Sequence, residues 1–542
     1  MSERRRRIDW ALLLPSSVVL PVKEVLVLGG SDELGQSLVD HGIAASWRRP
    51  LSRSDRSAFV VAWADCPFDV DRIVSHVGSN GLLYMEIDRR HLAIWRRRFR
   101  RLSQRGVRRG LARGGCQIFS VHIVTPDLVE PRRYLPMDQA RAIRWHLQAL
   151  FVAGTPVTRA ARACLSAILA TPIAGAVIRL VTMRYVVIGR TAEDTSSPLG
   201  VPMARRGERV IVVTSGYDQA SRAVVLPFER GDRSPRFAVK VASSSRTAIG
   251  TVREHERLIK LHATLPSETT RALPGPMGRY TLAGRTACVQ SCARGPSMNV
   301  SVGRWAQPWH AKCRDLDVVV DWLIEFAHAT RVDLASARHD WTLVYDEAVA
   351  MFQFPPDVVE LLGKAERIAR STLLGEIAVH QHYDAGPWNV HIDTDEPMLL
   401  DWETDDLRPT DCLGPALADI LYLVMYWYFL ASGAESEGEE EAAIVRLFAT
   451  PIAADAGVVA ARAAIDRALT SLGLERQAVP AALAALWAEQ AVYTHRRRVR
   501  LGVPIHTGRS RPEAFLRVLA GATAMLCGRD GLWAADVGSA PP

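Results

Sequence analysis

The amino-acid sequence has no internal repeat, no recognisable nucleic-acid motif, no clustered cysteines or histidines, and no apolar run long enough to cross a bilayer. Each absence removes a class of protein. Eight cysteines are scattered, and the one close pair, Cys288 and Cys292, has no second pair or histidine cluster nearby, so the sequence carries no zinc signature. Arg4 to Arg7 precede an apolar stretch that is too short, before Pro15, for a secretory signal; the expectation is a cytoplasmic, reducing environment. The longest apolar run, 163–178, is alanine-rich, contains Pro172 and lies between Arg162 and Arg179. It falls short of the roughly 20 residues a spanning helix needs. It reads as a buried helix or as a pair broken at the proline.

What is present is ordinary globular material in quantity. At 542 residues, a prior of roughly 150 residues per domain gives about three or four units. Hydrophobic residues at 48% and charged residues at 23% suit packed cores rather than a disordered or fibrous chain. The net charge of +9 gathers in arginine-rich stretches, densest from Arg89 to Arg113, where Trp95, Phe99, Leu102 and Val107 interleave the arginines as on one helix face. The run reads first as a solvated helix face, and second as a peripheral contact with anionic lipid or another polyanion. No nucleic-acid partner is inferred, because no binding motif accompanies the charge.

Apolar strand signals alternate with helical patterns near the amino terminus: Glu24 to Leu28 followed by Gly29, Gly30 and Gly35, then Ala58 to Ala62 and Gly81 to Glu86. This is the pattern of a Rossmann-like α/β sheet. A stretch rich in small and turn residues, 191–200, makes the best linker. Hairpin signals follow at Val210 to Thr214, Arg222 to Phe228 and Phe237 to Ala242, and from Trp305 onward the periodicity is mostly helical.

The strongest chemical signal is His382-Tyr383-Asp384-Ala385-Gly386-Pro387-Trp388-Asn389, followed after an apolar strand by Asp401-Trp402-Glu403. Phosphoryl transfer needs a carboxylate to orient a hydroxyl and take its proton, and hard oxygen ligands for Mg²⁺. An Asp and an Asn five residues apart on one loop, with an Asp after the next strand, supply both. This His-x-Asp-x-x-x-x-Asn and Leu-Asp-Trp-Glu combination resembles the catalytic signature of the aminoglycoside phosphotransferase and choline kinase family. The resemblance implies that Asp384 is the base, that Asn389 and Asp401 bind Mg²⁺, and that His382 buttresses the loop. It also implies ATP as phosphate donor and a small-molecule acceptor, sugar-like in character.

Upstream, Lys240 stands alone in the apolar strand 237–242, as a lysine reaching the α/β-phosphates does. In the helical pattern that follows, Glu254 fits the family's lysine partner best, with Glu256 as the alternative. The phosphate-covering loop falls on 215–221, where Ser215, Gly216 and Ser221 are the candidate contacts, and the interlobe hinge falls at Ser291, Cys292 and Ala293. Glu403, Asp405 and Asp406 form an acidic group that suits a cationic acceptor or an ordinary polar turn. The segment 417–430 resembles the family helix behind the active site, with Asp419 as an anchor and Tyr422, Tyr426 and Trp427 as core.

The glycines after the first strand resemble the first motif of class I S-adenosylmethionine-dependent methyltransferases, over roughly 20–145. The resemblance implies an S-adenosylmethionine site, yet the spacing is not Gly-x-Gly-x-Gly and the second strand lacks the carboxylate that binds ribose. A degenerate module for recognition or assembly is the favoured reading, a rearranged methyltransferase the other. The expected architecture is an α/β Rossmann-like domain at 1–145, a helical connector and linker at 146–200, and an α+β two-lobed protein-kinase-like domain with lobes at 201–295 and 296–542. Competing functions are a methyltransferase with an auxiliary kinase-like region and a nonenzymatic pseudokinase scaffold.

Overall fold

The computed structural model describes residues 9–29, 32–52, 54–62, 70–88, 104–126, 128, 131–191, 205, 208–214, 222–229, 231–243, 245–303, 306–337, 340–402, 407–408, 412–448, 455–501 and 511–526. The chain forms two compact units, one of 1–148, 161–255 and 276–292, the other of 149–160, 256–275 and 293–542. This division cuts across the ranges expected from sequence, and the reason lies in the strands.

Twelve strands of the first unit make one sheet. They are β1 (Val22–Leu28), β2 (Ala44–Arg48), β3 (Ser57–Ala62), β4 (Val77–Asp88), β5 (Gln117–Thr125), β6 (Arg133–Pro136), β7 (Arg184–Arg190), β8 (Arg209–Thr214), β9 (Arg222–Phe228), β10 (Phe237–Ala242), β11 (Pro276–Leu282) and β12 (Arg285–Ser291). Their order is β11-β12-β10-β9-β8-β6-β5-β7-β4-β3-β1-β2. Strands β2, β1, β3 and β4 run parallel, and every later pairing is antiparallel. The short ladder Arg133↔Val213 and Tyr134↔Val212 joins the two regions, so the hairpins after residue 208 extend the amino-terminal sheet.

Alternation builds the core of this sheet. Val25 and Val27, Phe59 and Val61, Val210 and Val212, Val239 and Val241 all enter one buried cluster, as a two-residue side-chain period requires. The turn Asp9–Leu13 covers that face. Trp10 stacks on Tyr84 at 3.9 Å between ring centroids and meets Phe59 edge-on.

Two helical expectations can be placed. The run 163–178 breaks at the proline into helices Pro156–Ile168 and Ala174–Val181. It is not buried, however: only Ser166, Leu169, Ala174 and Ile178 are, and Ile173 is 61% exposed. Alanine is nearly neutral to exposure, so an alanine-rich run needs no core. Of the arginine-rich run, helix Gln104–Arg113 buries Val107 and Leu111 and turns Arg108 and Arg109 outward. Gly110 lets it approach Val70, since an added Cβ would lie 2.8 Å from that side chain. Residues 89–103 and 192–200 lie outside the described residues.

The second unit is mainly helical. Its centre is helix Ala418–Ser432, whose apolar residues face inward all round, as a helix surrounded by others must. Gly433 ends it at φ +78°, a conformation glycine adopts without a Cβ clash. Packed on it are helices Trp309–Ala329, Ala456–Leu472 and Ala478–Leu501. Five short strands frame the loops: β13 (Val332–Asp333), β14 (Ile377–His380), β15 (Val390–Asp393), β16 (Glu396–Leu399) and β17 (Leu413–Gly414). Among the described residues no helix is long and apolar enough to cross a membrane.

Candidate active site

In the first unit the notable group is a buried lysine. Lys240 lies on β10, where Val239 and Val241 face the core cluster and alternation turns Lys240 to the other side. It does not reach solvent there. Its Nζ meets Glu254 Oε1 at 2.5 Å, with Lys240 6% and Glu254 2% exposed. Glu254 comes from helix Ser245–Thr264 and also accepts from Arg222 of β9 at 3.2 Å. One carboxylate therefore holds two cations, an arrangement that leaves positive charge for an anionic ligand. Glu256, the alternative partner, is exposed and belongs to the other unit. Ser215, Gly216 and Ser221 lie outside the described residues. The division between the units falls at Cys292 and Ala293.

In the second unit the loop between β14 and β15 carries the remaining candidates. Two backbone amides anchor it: those of His382 and Tyr383 donate to Asp419 at 2.5 and 3.0 Å. Asp419 sits in the first turn of helix Ala418–Ser432, where the helix dipole favours a carboxylate. Complete burial nevertheless pushes it up to about 6, against the pull of those two amides. Arg257 binds the carbonyl of Gln381 and lies 5.1 Å over the Trp402 ring. Tyr383 takes φ +68°, a strained value for a bulky residue that such anchors impose.

His382 is a buttress by its bonds. Its Nδ1 accepts the Asp384 amide at 3.2 Å, so the proton belongs on Nε2, which donates to Leu400 O at 2.7 Å. The ring also packs edge-on against Trp402, at 4.7 Å. The hairpin β15–β16 then returns the chain, and Leu400 N donates to Asn389 O at 2.7 Å. That closure brings Asp401, at φ +69°, beside the loop.

Asp384 is the most heavily bonded carboxylate of the group. Asn389 Nδ2 donates to its Oδ2 at 3.0 Å and to its backbone carbonyl at 2.8 Å. Trp388 Nε1 reaches the same Oδ2 at 3.3 Å, and Tyr422 OH donates to Oδ1 at 3.0 Å. Burial, and then the charge of Asp401, push Asp384 up to about 6 in spite of these donors. A carboxylate so placed titrates near the pH at which a general base works.

The donor set also bears on a metal. Because Asn389 spends its amide hydrogens on Asp384, its oxygen is the atom left for a cation, and Asp401 supplies a second hard oxygen. Mg²⁺ needs few protein ligands when phosphates complete its shell, so the pair fits it. Among the described residues no cluster of three or more His, Cys, Asp or Glu suits a metal. Glu403, Asp405 and Asp406 lie outside the described residues.

Two participants escape a reading of the motif alone. Tyr422, expected as core, has a buried ring but a hydroxyl on Asp384, and Arg222 shares Glu254. A tyrosine one helical turn after Asp419 was the available signal for the first.

Taken together, the first unit holds a buried lysine–carboxylate pair and the second a loop whose Asp384 carboxylate is bonded by Asn389 and Tyr422. No family model and no curated protein matches the sequence. Solved structures similar to it include the aminoglycoside phosphotransferase APH(3'')-Id from Streptomyces rimosus ATCC10970 in complex with ADP and streptomycin, at 11% identity and TM-score 0.30, over 49% of this chain and 89% of that one. Another is a glucosamine kinase, at 14% identity and TM-score 0.31, over 62% and 77%. A third is the GDP complex of aminoglycoside 2'-phosphotransferase-IIIa, at 13% identity and TM-score 0.34, over 60% and 94%.

Proposed function

We propose that this chain is an ATP- and magnesium-dependent phosphotransferase that phosphorylates a hydroxyl of a sugar, amino sugar or related small metabolite, with Asp384 as the catalytic base. The observation that supports this reading is the clasp of Asn389 on Asp384, which engages the Asn389 amide nitrogen and so leaves its oxygen as the atom that would ligate a cation. Asp384 orients the acceptor hydroxyl and takes its proton. His382 keeps the loop in register through Leu400 and the Asp384 amide. Lys240, held by Glu254, binds the donor phosphates. Mg²⁺, held by Asn389 and Asp401, supplies neutralising charge at the phosphates. Beside the base, Trp388 is 37% exposed, and an aromatic face there suits an acceptor carrying an ammonium group.

The test is ATP consumption by the full chain against a panel of sugars and aminocyclitols. An active acceptor should lose at least about 10²-fold in turnover with Asp384→Ala, the usual scale of general-base catalysis, and a similar amount with Asp401→Ala. Turnover indifferent to both changes would sink the assignment.

One feature of the first unit favours a cofactor reading: parallel strands in the order 2-1-3-4 create a switch point between β1 and β3, where α/β sheets bind ligands. S-adenosylmethionine does not fit the residues present. Strand β2 ends on Arg48, which pairs with Glu24 and Asp55, where a ribose-binding carboxylate is needed. Gly35 accommodates the Trp47 indole, because an added Cβ would lie 2.0 Å from it. We therefore read this region as a recognition or assembly module. Calorimetric titration of S-adenosylmethionine into the full chain should give no binding heat; a saturable isotherm would restore the methyltransferase reading.

A further inference from the structure

Strand β5 is fully paired along one side only. On that side β7 pairs with it from Gln117 to Ile123, skipping Phe119. On the other side β6 is four residues long and pairs with 122–125. Met137 N then takes Val121 O at 2.9 Å, and the chain turns away into helix Ala140–Ala149. The Arg133↔Val213 register sets the start of β8, Arg209, opposite residue 137, so β8 reaches no further. Residues 117–120 of β5 are therefore a free strand edge within a twelve-stranded sheet. Such an edge offers unpaired backbone groups to a further strand.

A cavity of about 560 Å³ lies along it, a volume within the range of ligand sites. Its walls include every residue from Cys116 to Val121. A cavity over one face of a strand touches alternate residues, because successive side chains point to opposite faces. Six in a row place this one against the backbone edge instead. Gln117 is exposed, and Ile118 and Phe119 are half-buried, so solvent reaches the edge.

The other walls are Arg108, Ala112 and Gly115, from helix Gln104–Arg113 and the turn after it, with Asp138 and Arg209. Arg209 Nε donates to Asp138 Oδ2 at 2.8 Å, which matches those two charges. Arg108 is exposed and has no partner among the described residues. The cavity thus carries one unmatched positive charge. The helix that walls it leaves width for a single chain and stands in the way of a second sheet.

We propose that this edge is a peptide-binding site, in which an extended segment of a partner protein adds to β5 in line with β6 and sets an acidic side chain against Arg108. Main-chain hydrogen bonds supply the affinity and the arginine supplies the selectivity. A small anion alone would use Arg108 and leave the backbone groups of 117–120 unmet, which favours a strand. The site names a partner class for the recognition role proposed for the first unit, and it rests on that reading.

The probe is the peptide acetyl-Thr-Val-Glu-Val-Thr-amide, with a control in which lysine replaces the glutamate. Calorimetry on the full chain should show saturable binding of the first and at least about tenfold weaker binding of the second, since a like charge then meets Arg108. Arg108→Glu, a change at an exposed position, should weaken the acidic peptide by at least about tenfold and remove its advantage over the lysine form. Of the two alternately N-methylated versions of the acidic peptide, one should fail to bind and the other should bind, because only alternate amides of an added strand face its neighbour. Hydrogen exchange at 117–120 should slow in the complex. No saturable binding, equal affinity for the glutamate and lysine peptides, binding indifferent to Arg108→Glu, or both N-methylated versions binding would overturn the proposal. So would binding of inorganic phosphate alone, which would make the cavity a simple anion site, and so would sedimentation of a dimer that Arg108→Glu dissolves, which would assign the edge to a second copy of the chain. None of these readouts involves S-adenosylmethionine or turnover. Their failure would leave the recognition role to another surface and the phosphotransferase reading intact.

Discussion

The Tyr422 hydroxyl donates to Asp384 Oδ1 across 3.0 Å, so the proposed base is stabilised as an anion by a residue of the central helix. Burial and the charge of Asp401 act the other way and prevail, leaving Asp384 near 6. A base works only when deprotonated, so kcat/KM should rise with pH and level off above about 6. Tyr422→Phe removes a bond to the charged form and should move that limb to higher pH, lowering activity most on the acidic side. A pH–rate profile of both proteins checks this. A limb that stays in place would show that the hydroxyl does not tune the base.

Glu254 stands between Lys240 and Arg222, and the two sides of that arrangement should differ in cost. Lys240→Met leaves Glu254 with Arg222 still in place, and the expected loss is about 1–3 kcal/mol. Glu254→Gln leaves two cations side by side with no counter-charge, and the expected loss is about 3–5 kcal/mol. Urea denaturation of the single variants gives the order. Lys240→Met proving the more costly would contradict a carboxylate shared by both cations.

Asp419 gives a pH signature of stability. Its pKa in the folded chain, about 6, exceeds the unfolded value of roughly 3.9, so the folded state holds the extra proton between them. Its favourable contribution is complete below the unfolded value and is lost as pH rises through about 6. Relative to Asp419→Asn, the native protein should therefore lose stability between about pH 4 and 7, on the order of 2–3 kcal/mol. Chemical denaturation at both pH values measures it. A native protein that instead gains stability relative to Asp419→Asn as pH rises would mean that the loop amides, rather than burial, dominate this carboxylate.

Local order was largely legible in the sequence, because it depends on neighbouring residues. Apolar runs bounded by turn residues locate β9 and β10 at 222–228 and 237–242, the same limits the structure gives. Spacing also brings Asp384 and Asn389 together, since five residues of one loop suffice. What sequence could not supply were contacts paid for by long loop closure. The Arg133↔Val213 ladder that merges two expected domains into one sheet is of this kind, as are Tyr422 on Asp384 and Arg222 on Glu254. The antiparallel β7 between β4 and β5 is another, for its residues pair with strands far earlier in the chain. Alternation left Lys240 facing either core or solvent and the resemblance offered Glu254 or Glu256 beside it; the 2.5 Å pair with Glu254 is why the lysine is buried.

Gly35 and Trp47 offer a test of the amino-terminal module that needs no ligand. A Cβ at Gly35 would stand 2.0 Å from the indole, inside van der Waals contact. Gly35→Ala should therefore destabilise the fold by about 1–3 kcal/mol through overpacking. Trp47→Ala frees the same space, so the double variant should cost less than the sum of the two single changes, with a coupling of about 0.5–3 kcal/mol. The cycle is read from thermal or urea melts. Simple additivity would mean that the glycine is required by something other than the indole, and it would reopen the possibility of a cofactor seated against this helix.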